Sequence, residues 1–297
     1  MKHKNIYAVL IIIGFIFKAQ SQNLNKEISN NGQTPYLIGQ IDKSDLEREN
    51  YTSWFTKNHN DYSPNQTLIN AIASQLPNYT ITLFMGTWCS DSKKEVPRLY
   101  KVLEAANFPM HQLTVIAVSR EANMYKQSPQ HEEAGLNIHR VPTVIFYKNG
   151  KEINRIVEHP IVSFEEDIKQ IITKNKYTSN YQIVSVVDAI LKKKGIKGLH
   201  RKQTKLLKQF SGKVPNMYQL NTYGRILYGT NKIDEAIAVF TFNTKLFANE
   251  PGTYMSLANT LGISKKQTEA IKVLEDAIKL FPENEDLKEN LKVIKSN

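Results

Sequence analysis

Ile81-Thr82-Leu83-Phe84-Met85-Gly86-Thr87-Trp88-Cys89-Ser90-Asp91-Ser92-Lys93 is the stretch on which the fold turns. Ile81 to Met85 is a short apolar run that reads as a buried strand, and a helix is predicted over about Ser92–Ala106. The strand therefore hands a cysteine to the first turn of a helix, where unpaired amides and the helix dipole favour an anion. Cys89 is the only cysteine in the chain. The place two residues past Ser90, where a dithiol site would carry its second sulfur, is Ser92. One sulfur without a partner in the same molecule governs every functional reading that follows.

Outward from this turn the pattern is mixed. Tyr36–Ile41 reads as a first strand and Asp45–Tyr51 as a short helix, with Trp54 and Phe55 as core residues. Ser63-Pro64 is expected to open a helix as N-cap and first helical residue, with Leu68, Ile69, Ile72, Ala73 and Leu76 on one face and Pro77 as its stop. The apolar runs Leu113–Val118 and Val144–Tyr147 are further strands. Asn149-Gly150 predicts a tight hairpin to Glu152–Val157. A last helix is expected over Ser163–Lys174, with Phe164, Ile168, Ile171 and Ile172 on one side. This order predicts a small mixed sheet with helices on both faces.

The Trp88-Cys89 pair, Lys93 four residues on and Pro97 eight residues on resemble the active-site helix of the thioredoxin superfamily. Val141-Pro142-Thr143, leading into a strand and then Lys148-Asn149-Gly150, resembles that family's cis-proline strand and hairpin. The resemblance covers about residues 36–175 and extends to a set of exported bacterial thioredoxin-like proteins with a Gly-Thr-Trp-Cys-x-Asp-Ser pattern. It implies a proline loop that faces Cys89 and whose backbone pairs with a bound peptide or thiol, making Trp88, Val141, Pro142 and Thr143 substrate-binding residues. Two departures matter. Ser92 replaces the second cysteine, and Leu83 stands six before Cys89, where thioredoxins bury an acid that helps move protons. A mixed disulfide at Cys89 would need an external thiol to resolve it.

Ser92 carries two readings that can coexist. Its hydroxyl could donate to the Cys89 thiolate, or it could be the N-cap of a Ser92-Lys93-Lys94-Glu95 capping box. Asp91 beside the sulfur and Lys93 and Lys94 beyond it act in opposite senses. His111, His131, His139 and His159 are too scattered for a metal site, although His139, three before Pro142, is close enough in sequence to approach the thiol. No phosphate-binding glycine loop is present, and neither metal nor cofactor is expected. Asn50, Asn65 and Asn78 begin Asn-x-Thr sequons of the kind that chance alone often produces.

The chain begins with Lys2, His3 and Lys4, an apolar run from Ile6 to Phe17, and Ala19-Gln20-Ser21. Residues 1–21 thus read as a secretory signal cut near Ser21–Gln22, and the apolar run is too short to span a bilayer. The expected location is exported, periplasmic or secreted. Residues 22–35, rich in Asn and Gln, are expected to be disordered.

Residues 181–297 read as an all-α domain after a linker near Lys174–Asn180. Ile183, Val184, Val187, Ile190 and Leu191 mark one helix ending near Gly195; Leu199, Leu206, Leu207 and Phe210 mark another. Lys232-Ile233-Asp234-Glu235-Ala236 then recurs 34 residues later as Lys266-Gln267-Thr268-Glu269-Ala270. Gly224 matches Ala258, Leu227 matches Leu261, and Phe240 matches Leu274. The pattern resembles two tetratricopeptide repeats, at about 217–250 and 251–284, with a capping helix over Asn284–Lys295. Stacked repeats imply a groove for a protein or peptide partner; the other reading is a plain helical spacer.

The net charge of +11 is concentrated between Asp188 and Asp234, where no acidic residue occurs. Most such runs are solvated helix faces. The basic 192–213 stretch is otherwise a contact for an anionic surface, and nucleic acid is not an expected partner. Taken together, the leading expectation is a monothiol redox or thiol-capture protein with Cys89 as nucleophile, Ser92 beside it, and protein or small-molecule thiols and disulfides as partners. The competing expectation is a non-enzymatic interaction scaffold.

Overall fold

The computed structural model describes residues 26–29, 32–174 and 177–296. The signal assigned to 1–21 lies outside the described residues, as does part of the segment 22–35. Within that segment, Lys26–Ile28 is not disordered. It forms an edge strand, β1, antiparallel to β2 (Tyr36–Ile41), and Glu27 accepts a 2.7 Å hydrogen bond from the Tyr51 hydroxyl.

Two short helices follow, α1 (Lys43–Leu46) and α2 (Glu49–Asn60), where one was expected. α3 (Gln66–Ala73) starts later than Ser63-Pro64 implied, because Asn65 is the residue whose side chain caps it, accepting from Leu68 N–H. Next come β3 (Thr80–Met85), α4 (Ser90–Ala105), β4 (Leu113–Ala117), β5 (Thr143–Lys148) and β6 (Lys151–Val157). The hairpin between the last two turns on Asn149 and Gly150, both at positive φ, as the sequence pair demands. α5 (Phe164–Lys169) is capped by Ser163 and runs on as a wider turn to Lys174.

The strands form one mixed sheet in the order β1-β2-β4-β3-β5-β6, in which only the β3–β4 pair is parallel. A parallel neighbour requires a crossover, and α4 supplies it. Alternation along β3 sends Ile81, Leu83 and Met85 to one face and Phe84 to the other. The first face is covered by α2, α3, α4 and α5 through Tyr51, Phe55, Ile72, Leu99 and Ile168. On the other face Phe84, Ile116 and Ile145 meet Ile138 and Val141 from the β4–β5 connection, together with Trp88 and Cys89. The expected helix layer directly on both faces is therefore corrected: a loop covers the second face, and the helical half packs behind that loop.

The helical half comprises α6 (Gln182–Phe210), α7 (Tyr218–Gly229), α8 (Ile233–Leu246), α9 (Pro251–Ile263), α10 (Gln267–Leu280) and α11 (Glu285–Ser296). α6 is broken at Gly195, whose φ of 59° and ψ of −168° are not helical, where the sequence placed the end of a helix. Ala236, Ala258, Ala270 and Ala277 are fully buried at the helix crossings. Gly224 lets α7 and α8 approach, since a Cβ there would lie 2.6 Å from the Phe240 ring.

Ala270→Phe should overpack this seam and cost about 1–3 kcal/mol. Limited proteolysis should then cut first within residues 181–296 and leave the sheet half intact. Equal early cutting in the sheet would show that the two cores are not separable.

Candidate functional site

The turn after β3 is held from three sides. Thr87 is buried, and its hydroxyl accepts the Leu37 N–H of β2 at 3.0 Å. Trp88 donates its indole N–H to the Val118 carbonyl just past β4 at 2.9 Å. Its ring lies over Gly86, where any Cβ would come within 2.6 Å of it. Cys89 N–H donates to the Gly86 carbonyl at 2.9 Å, and the Cys89 carbonyl accepts from Lys93 N–H at 3.0 Å. Cys89 is thus itself the N-cap of α4, with extended φ and ψ of −89° and 129°.

This corrects the capping reading of Ser92. The helix begins at Ser90, so Ser92 lies inside the first turn and is fully buried. Its hydroxyl accepts the Gly86 N–H at 3.2 Å and fastens the turn beneath the cysteine. Glu95, assigned to the same box, pairs instead with Lys94 and Arg98.

Cys89 is half-buried and free. Its Sγ lies 3.3 Å from the Val141 carbonyl oxygen and 4.0 Å from Asp91 Oδ2. The Val141–Pro142 bond is cis. The Pro142 carbonyl accepts from Glu158 N–H at 2.7 Å, and the Thr143 hydroxyl donates to the Arg140 carbonyl at 2.7 Å. Thr143 is opposite Phe84 in the β3–β5 register, which brings the start of β5 beside the end of β3. The structure therefore brings Trp88, Cys89, Val141, Pro142 and Thr143 into one neighbourhood. Val141, Pro142 and Thr143 are buried side chains, so what Val141 turns towards the sulfur is its backbone.

His139 does not contact the thiol. It is buried with its ring edge-on to Tyr181 and Tyr223 of the helical half, at 5.5 and 6.4 Å. Burial pushes its pKa down to about 3. The same connection meets the helical half elsewhere. Lys192 donates to the Gly135 carbonyl at 3.0 Å and Gln127 to that of Gly229 at 3.4 Å, while beyond β6 Glu158 accepts from the Tyr181 hydroxyl.

Three residues that the sequence reading passed over pack around the cysteine turn and the proline loop. Tyr125 packs against Trp88 at 5.9 Å between ring centroids. Lys126 is only 5 % exposed, donates to the His139 carbonyl at 2.6 Å, and lies 4.8 Å from the Tyr125 ring. Arg140, directly before Val141, stacks on Tyr181 at 5.0 Å and reaches Glu158 at 3.5 Å. No spacing in the sequence marks them, because all three sit in an irregular connection whose path is set by tertiary contacts. Beyond the site, most of the lysines and arginines of the 192–213 stretch are exposed. Among the described residues no group of His, Cys, Asp and Glu could hold a metal ion, and no helix is long and apolar enough to cross a membrane.

Compared with known proteins, the chain matches no family model and no curated protein.

Proposed function

We propose that the protein is an exported, thioredoxin-like monothiol protein that exchanges or captures thiols through Cys89, joined to a stack of tetratricopeptide-type helices that holds a protein or peptide partner. The observation that carries this reading is the half-exposed Sγ at the head of α4, 3.3 Å from the Val141 carbonyl. A backbone edge beside a free sulfur can pair with a substrate's own backbone while its disulfide is presented to the sulfur.

In the proposed step the Cys89 thiolate attacks one sulfur of a substrate disulfide. A new S–S bond forms, the old one breaks, and the other half departs as a thiolate with the electron pair and takes a proton from water. Ser92 cannot expel the bound half, so a second, external thiolate must attack the mixed disulfide to regenerate Cys89. The helical stack, with its 34-residue period and buried alanines, supports the partner-binding part of the reading.

The test is the lifetime of the adduct. Incubating the full chain with glutathione disulfide should leave a long-lived mixed disulfide visible as a mass increase, absent in Cys89→Ser. Ser92→Cys should shorten that lifetime on the order of tenfold or more, because attack becomes intramolecular. No adduct in the wild type, together with alkylation of the folded chain no faster than of the unfolded one, would favour the scaffold reading.

A further inference from the structure

We propose that the helical half builds part of the thiol site: the entry to α7 and the proline loop form a cleft that holds the polypeptide flanking a substrate cysteine. This rests on the thiol-exchange reading above and names the surface that makes it selective.

The cleft has a volume of about 380 Å³, and one of its walls is built from the two flanks of the proline. Arg140 stands directly before Val141, whose carbonyl lies 3.3 Å from Sγ, and Glu158 donates its N–H to the Pro142 carbonyl at 2.7 Å. Tyr181 completes this wall: its ring carries the Arg140 guanidinium at 5.0 Å, and its hydroxyl donates to Glu158. A chain whose cysteine is bonded to Sγ and whose backbone lies along Val141 reaches the cleft on one side within a few residues, at about 3.3 Å for each.

The opposite wall is the segment 215–219, where the chain enters α7. It is firmly seated, because the Met217 carbonyl accepts from the fully buried Asn243 side chain at 3.0 Å and from Asn221 N–H at 3.1 Å. What it turns outward is unengaged. Tyr218 is 58 % exposed, and its hydroxyl has no hydrogen bond among the described residues. Asn216 engages only its oxygen, on Tyr218 N–H at 3.0 Å, and the Gln219 side chain has no hydrogen bond among the described residues.

These residue types fit a polypeptide. Tyrosine and arginine offer large, stiff faces that lose little freedom on binding, and both are enriched where one chain recognises another. The carboxamides of Asn216 and Gln219 match a peptide group, since each has a donor and an acceptor. Arg140 and Glu158 are already paired at 3.5 Å, so the cleft sets no sign of charge for its occupant. A small disulfide has nothing to place there; a chain continuing past its cysteine does.

The test uses two reagents with the same reacting bond: the thionitrobenzoate mixed disulfides of N-acetylcysteine amide and of an uncharged nine-residue peptide with cysteine at its centre. The Cys89 thiolate attacks the cysteine sulfur, a new S–S bond forms, the old one breaks, and thionitrobenzoate leaves with the electron pair. Its absorbance gives the rate, and the mass of the adduct identifies the half retained. Rates with the full chain are each divided by the rate with the unfolded chain, which cancels the reactivity of the reagent. The peptide should gain about tenfold over the short reagent, and this preference should fall to about twofold or less in Tyr218→Ser and persist in Tyr218→Phe. With benzoylphenylalanine three places before or after the peptide's cysteine, irradiation of the adduct should attach one of the two peptides to residues 215–219.

Equal normalised rates for the two reagents, a preference unchanged in Tyr218→Ser, or crosslinks confined to the sheet half would overturn the proposal and leave thiol exchange standing. No adduct with either reagent would overturn the thiol-exchange reading beneath it.

Discussion

Lowering the pH from about 7 to about 4.5 is expected to remove about 2–3 kcal/mol of stability through one side chain, His139. Burial lowers its pKa from 6.5 to about 3, so the folded protein holds it neutral where the unfolded chain binds a proton. Stability that depends on this group is complete above pH 6.5 and is lost progressively as the pH falls towards 3. Against this burial, only the hydrogen bond to the Asn137 carbonyl favours the protonated ring. Nδ1 is satisfied by the Asn137 carbonyl at 3.2 Å, and Nε2 is buried with no partner. The nearby charges on its own connection and on β6 are Lys126, Arg140 and Arg155, all positive. From the helical half the ring meets Tyr181 and Tyr223, whose phenols are held by Glu158 and Asp188.

Urea unfolding over a pH series should therefore show a slope of about 1.4 kcal/mol per pH unit that is missing in His139→Phe. Parallel profiles for the two proteins would refute the assignment. Since His139 is two residues from Val141, the same protonation should loosen the loop that faces Cys89. Hydrogen exchange at 137–142 should rise in acid before that of β3 does.

The sequence was most legible where chemistry and spacing are local. Trp88-Cys89 after an apolar run, Asn149-Gly150 between two strands and the alanines at 236 and 270 each constrain the backbone within a few residues, and each lies where it was placed. Reading weakened where a residue's role depends on distant partners. Ser92 has the sequence of an N-cap, but the Cys89 carbonyl, which accepts from Lys93 N–H, starts the helix earlier and leaves Ser92 to bond inward to Gly86. Lys26–Ile28 is too short and polar to read as a strand; its order comes from β2 and from Tyr51. The nearness of His139 to Pro142 in the sequence points it towards the sulfur. Only the packing of α6 and α7 behind the loop shows that its ring turns the other way.

Lys126→Met should make the protein more stable at neutral pH, by about 1–3 kcal/mol. Burial lowers the Lys126 pKa from 10.5 to about 8, so below pH 8 the fold carries a proton it would rather release. Between pH 8 and 10.5 the unfolded chain holds that proton and the folded one does not, and wild-type stability rises with pH across this window. The methionine variant has no such dependence, so its advantage is full below pH 8 and fades towards 10.5. Part of the gain is offset by the lost hydrogen bond to the His139 carbonyl, worth about 1 kcal/mol. The backbone contributes nothing to the difference, because Lys126 at a φ of 60° and methionine there meet the same steric cost. Denaturation of the two proteins near pH 7 and near pH 10 measures the effect directly. A variant less stable than wild type at both values would mean that Lys126 is a structural support for the loop. A variant more stable at 7 but not at 10 is the behaviour of a charge whose burial the fold bears as a cost.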